Sequence, residues 1–217
     1  MAKRRKRKIK LGRIFALLLI ICLLGYLGIL AYEKLSVHES KTKKVKNIST
    51  IKEYDYVLKE NATAYFKKLF KKLDSALSKD EVDEEEYASL VCQMFVADFF
   101  NLDNKISKND VGGAQFVYKD YRTDFEKYAM DSVYKSVENN VYGNRRQNLP
   151  IVENVKCLKT GNSTFKYGES SDEKAFTFNF DTEYKEDLGY QAEGSMTIIH
   201  NEKKLEVASL DTKKGSN

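Results

Sequence analysis

"AFTFNFDTEYKE", Ala175 to Glu186, decides the class of fold. Phe176, Phe178, Phe180 and Tyr184 alternate with Thr177, Asn179, Asp181 and Glu183, which is the period-two pattern of a strand with one apolar and one wet face. The apolar face has to be covered. Outward from this strand, "EDLG", Glu186 to Gly189, turns the chain into a strand over about Tyr190 to His200, and "HNEK" turns it again into Leu205 to Leu210. Upstream, Pro150 introduces a strand over roughly Ile151 to Leu158, since a strand can begin without the missing N–H. Together these give an antiparallel meander that needs helices on its apolar side.

The preceding half supplies them. Between Ile51 and Leu77, Leu58, Ala62, Tyr65, Leu69, Leu73 and Ala76 recur at helical spacing, which predicts one long amphipathic helix. Lys67, Lys68, Lys71 and Lys72 lie beside that stripe, as a solvated face does; lipid headgroups or an acidic partner would also suit them. A second helix starts near Asp83, with Glu84, Glu85 and Glu86 in the first turn and Tyr87, Leu90, Val91, Met94, Phe95 and Phe99 as its buried stripe. Asp98 falls on the same stripe. "NLDNKISKNDVGG", Asn101 to Gly113, reads as a structured loop, and a third helix is predicted over about Tyr118 to Val137, with Tyr118, Tyr121, Phe125, Tyr128, Ser132 and Val133 facing inward. The fold class is therefore α+β, with an N-terminal transmembrane helix followed by helices packed on a curved antiparallel sheet.

The transmembrane helix is read from Ile14 to Tyr32, nineteen residues without a charge, long enough to cross a bilayer core. Eight cations and no acid stand among the first thirteen residues. This places residues 1–13 in the cytoplasm as a basic tail and the chain after the span outside. The span has too long an apolar core, and too poor a cleavage site near Ala31, for a removed signal peptide, so it reads as a retained signal-anchor. Residues 33–47, with five lysines, read as a linker, 48–211 as the extracytoplasmic domain and 212–217 as a polar tail. The whole chain carries +5 and the first thirteen residues +8, which leaves −3 for the remainder. The basic run belongs to the membrane flank, and no nucleic-acid partner is expected.

Cys22 lies in the span, and Cys92 and Cys157 form either one disulfide or two buried thiols; their apolar neighbours favour the thiols. His38 and His200 have no partner that spacing identifies, so no metal site and no cofactor are expected. "DVGG", Asp110 to Gly113, lacks the strand-then-helix context of a phosphate loop, and its glycines suit a sharp turn.

Helices followed by this sheet, closing in "GSMTIIHNEKKLEVASLD", Gly194 to Asp211, resemble the nuclear transport factor two-like cone over about residues 50–211. With the basic tail and single span in front, the layout resembles exported assembly factors of type IV secretion and conjugation machines, and anchored Gram-positive members of the superfamily. Enzymes of that superfamily use a cavity between sheet and helices, with an acid or His as base and tyrosines as donors. The resemblance thus points to Asp98 as the candidate acid, raised by desolvation, with Tyr118, Tyr121 and Tyr128 around it. A structural reading is self-sufficient: Asp98 accepts from the Asn101–Lys105 turn or pairs with Arg122. The functional expectation is a non-enzymatic, membrane-anchored domain that binds other envelope proteins, with self-association left open. The alternative is a small-molecule or isomerase-like pocket centred on Asp98.

Overall fold

Phe176, Phe178 and Phe180 all point into the core, and Asn179 between them and Asp181 after them are exposed. The computed structural model describes residues 45–190 and 192–212, so the basic tail, the span and most of the linker lie outside the described residues. Among the described residues no helix is long and apolar enough to cross a membrane.

The elements are β1 (Asn47–Ile51), β2 (Tyr56–Lys59), α1 (Ala64–Leu77), α2 (Glu84–Phe99), α3 (Arg122–Asp131), β3 (Val152–Tyr167), β4 (Ser170–Tyr184), β5 (Glu193–Asn201) and β6 (Lys204–Thr212). Strands β3 to β6 form one antiparallel sheet in sequence order, and β1 and β2 form a separate hairpin. The fold is α+β, with three helices packed on antiparallel sheets. Helix α2 is its centre and touches all four strands of the sheet as well as α1. It is buried on nearly every side. The Asp83 carboxylate accepts from the N–H groups of Glu85 and Glu86, capping the helix where the sequence starts it.

Four expectations are corrected. The long helix from Ile51 is a hairpin followed by a shorter helix. Asp55 turns left-handed (φ 53°) after a short 3-10 turn, Ile51 then pairs with Tyr56, and the helix begins only where the Thr63 hydroxyl accepts from Phe66 N–H at 3.1 Å. Leu58 is buried in β2, not on a helix. The third helix is confined to Arg122–Asp131. Before it, Tyr118 N–H donates to Val207 O at 2.9 Å and pins the chain to β6; after it, Ser132 leaves helical geometry and Tyr134 turns inward. Tyr128, expected inside, is therefore 75% exposed, and Tyr134 is fully buried. Strand β3 continues nine residues past Leu158, to Tyr167, through the polar run "KTGNSTF", whose alternation is not marked by hydrophobicity, and Gly168 (φ 58°) makes the turn into β4.

The cysteines are the fourth correction. Cys92 lies on the face of α2 that packs against β3, opposite Cys157, and the two form a disulfide with Cα atoms 6.5 Å apart. Their apolar surroundings are real, but they share them.

Candidate functional site

Asp98 occupies the last turn of α2, where the loop Asn101–Gly113 folds back over the helix end. The buried Asn101 fixes that loop: its side-chain Oδ1 accepts from Val152 N–H at 2.9 Å and its side-chain Nδ2 donates to Asn104 Oδ1 at 2.8 Å. Lys105 then enters the interior, 4% exposed, with its Nζ 2.5 Å from Asp98 Oδ1. The other carboxylate oxygen accepts from Gly113 N–H at 2.8 Å. Gly112 lets the loop pass, because a Cβ there would lie 2.2 Å from Asp98 O and 2.6 Å from Lys105 Nζ. Tyr134 locks the arrangement by accepting from Gly112 N–H at 2.9 Å and donating to Phe99 O at 2.6 Å.

The electrostatics follow from this geometry. Burial alone would raise the Asp98 carboxyl, but the Lys105 ammonium and the Gly113 N–H outweigh it and hold the group below the ordinary carboxylate range. Asp98 is thus an ionised acceptor with both oxygens engaged, the opposite of the raised acid that desolvation alone predicts. The cavity beside it, lined by Lys59, Asp98, Lys105 and Asp110, has a volume of about 20 Å³, room for about one water. Lys59 and Asp110 pair across it at 3.3 Å.

The remaining candidates lie apart from that cavity. Tyr118 packs edge-on against Tyr121 and Tyr167, at 5.3 and 5.1 Å between ring centres. Its hydroxyl donates to Asp120 at 3.0 Å. Arg122 donates to Val117 O at 3.1 Å, so the pairing expected with Asp98 is replaced by Lys105. Tyr128 faces solvent. Of the structural alternatives, the Asn101–Lys105 turn is the one that reaches the carboxylate.

Two further groupings were not visible in the sequence. His200, whose partner spacing could not identify, donates its backbone N–H to Asp172 Oδ2 at 2.7 Å, with its Nδ1 2.8 Å from the same oxygen and its Nε2 3.5 Å from Glu84. Burial pushes Asp172 up, but the His200 backbone and ring bonds bring it below its usual value. Arg145 stands in an open polar cleft of about 410 Å³ beside Glu60, Asn61 and Asn104. Its guanidinium is committed to backbone oxygens, Lys105 O at 2.9 Å and Asp103 O at 2.5 Å. Among the described residues no group of three His, Cys, Asp or Glu side chains is placed to hold a metal ion.

Comparison with protein-family models, with curated proteins and with solved structures gives no match to this chain.

Proposed function

We propose that the chain is a single-pass membrane protein, anchored through residues 14–32 with its N-terminus in the cytoplasm, whose extracytoplasmic domain binds other proteins of a bacterial envelope complex. Secretion, conjugation and cell-wall assemblies are the contexts that fit an anchored domain of this kind. The domain is read as a nuclear transport factor two-like cone, in keeping with helices on an antiparallel meander.

The observation that carries the binding role is the filled interior. Phe95, Phe99, Phe125 and Tyr134 pack ring against ring between α2 and the α3 segment, at 5.1 to 5.8 Å between centres, and Phe100 meets Phe180 at 5.9 Å at the helix–sheet seam, where an enzyme of such a fold keeps its cavity. A pocket centred on Asp98 has less support, because its carboxylate is already held by Lys105 and Gly113. The Cys92–Cys157 disulfide favours an oxidising, extracytoplasmic setting.

The test is in-cell crosslinking of the full chain, followed by detergent extraction and co-purification. A reproducible envelope-protein partner crosslinked through residues after 45 is expected. Recovery of the chain free of any protein crosslink would count against the scaffold role, and turnover of a small molecule would move the assignment to the pocket.

A further inference from the structure

The lysines of α1 gather where the chain enters the domain. The helix buries Phe66, Leu69, Phe70, Leu73 and Ala76. At about 100° per residue, Lys67, Lys68, Lys71 and Lys72 fall within an arc of about 140° on the opposite side. Lys68, Lys71 and Lys72 are exposed, and among the described residues none of them has a carboxylate within ion-pairing distance. Lys67 donates to Glu60 O at 3.0 Å.

Glu60 also holds the start of the domain. Its N–H donates to Lys46 O at 2.9 Å, and its carboxylate accepts from Lys46 N–H at 3.1 Å. The first described turn of backbone and the basic face of α1 are therefore joined through one residue. Lys72 is five residues from Lys67, about 8 Å along the helix axis. Only the fourteen residues 33–46 separate this corner from the segment read as the span, a reach of at most about 50 Å. That stretch adds Lys34, Lys41, Lys43, Lys44 and Lys46. A linker of that length lets the basic face reach a bilayer surface, and within about a Debye length of it, roughly 10 Å, its cations would be attracted to anionic headgroups.

We propose that the face of α1 bearing Lys67, Lys68, Lys71 and Lys72 docks on the anionic lipid surface of the bilayer in which the chain is anchored. The proposal rests on the anchored reading given above. Docking would hold the sheet and α3 at a set orientation to the membrane and leave them for protein partners.

The test uses the full chain reconstituted into vesicles of phosphatidylcholine alone, or with about 30% phosphatidylglycerol to supply negative charge. A water-soluble lysine-acylating reagent is added, and modification at Lys68, Lys71 and Lys72 is read by peptide mass spectrometry against the exposed Lys119 and Lys174 of the same molecules. On anionic vesicles the α1 lysines should react about threefold or more slowly relative to the references, and the difference should vanish in about 0.5 M salt. Equal relative rates on both vesicles, with the chain floating with lipid after an alkaline wash, would overturn the docking and leave the anchor standing; these lysines would then belong to solvent or to an acidic protein. A chain that fails to float with phosphatidylcholine vesicles would overturn the anchored reading and the docking with it.

Discussion

Replacing Asp98 by Asn removes the charge that balances a buried ammonium. The Lys105 side chain is 4% exposed and its partner is Asp98 Oδ1 at 2.5 Å, whereas an Asn side-chain oxygen could still accept from Gly113 N–H. Removing one partner of a buried pair costs about 3–5 kcal/mol, because the other charge is stranded. Asp98 itself keeps 25% exposure, which admits some water and puts the cost at the lower end, about 3 kcal/mol. For a domain of this size that corresponds to a fall in Tm of about 6–12 °C. The assay is thermal unfolding of the full chain in detergent. Removing both charges, in Asp98→Asn with Lys105→Met, should cost less than the sum of the two single changes, whereas Arg122→Gln should add independently to Asp98→Asn. The sign with pH is also fixed. Since the folded carboxyl sits below its unfolded value, the stability it contributes is complete above the ordinary carboxylate range and is lost as pH falls through the folded pKa. The gap in Tm between the wild-type protein and Asp98→Asn should therefore narrow below about pH 4. An Asp98→Asn variant as stable as the wild type, or one coupled to Arg122 instead of Lys105, would refute this account of the site.

Phe178 is 1% exposed between β3 and β5, so Phe178→Ala should cost about 3–5 kcal/mol and Thr177→Ala, on the opposite face, much less; denaturant melts giving equal losses would mean the covered face is misassigned. The Cys92–Cys157 bridge joins residues 65 apart, and replacing both by Ser should lower stability by about 2–4 kcal/mol. Intact mass of the denatured full chain before and after alkylation checks the bridge itself: one alkylated thiol, that of Cys22, is expected, and three in protein isolated without reductant would contradict it.

Strand β4 was readable because every second residue repeats one decision, and α2 because its acidic start and apolar stripe agree with each other. The β1–β2 hairpin was not readable, since Leu58, Ala62 and Tyr65 happen to stand at helical spacing although the first lies in a strand and only the third in a helix. The signals that separate them are local and weak: a left-handed Asp55 and a capping Thr63. Likewise a carboxylate on an apolar helix face announces that it needs a partner without saying which. Lys105 wins over Arg122 because Gly112 and Gly113 let the loop close on α2, while Arg122 is drawn to the Val117 carbonyl near β6. Cys92 and Cys157 carry no shared period, and their meeting depends on how α2 lies on β3. The His200–Asp172 contact arises from the length of the β3–β4 hairpin, whose polar outer half has no hydrophobic signature.

The central claim, a domain held outside the membrane by an N-terminal span, is tested most directly by topology. Protease added to intact cells stripped of their wall should degrade epitopes placed after Glu33 and spare a tag placed before Met1. Protection of a C-terminal tag while the N-terminal tag is digested would contradict the account, reversing the orientation and removing the envelope role.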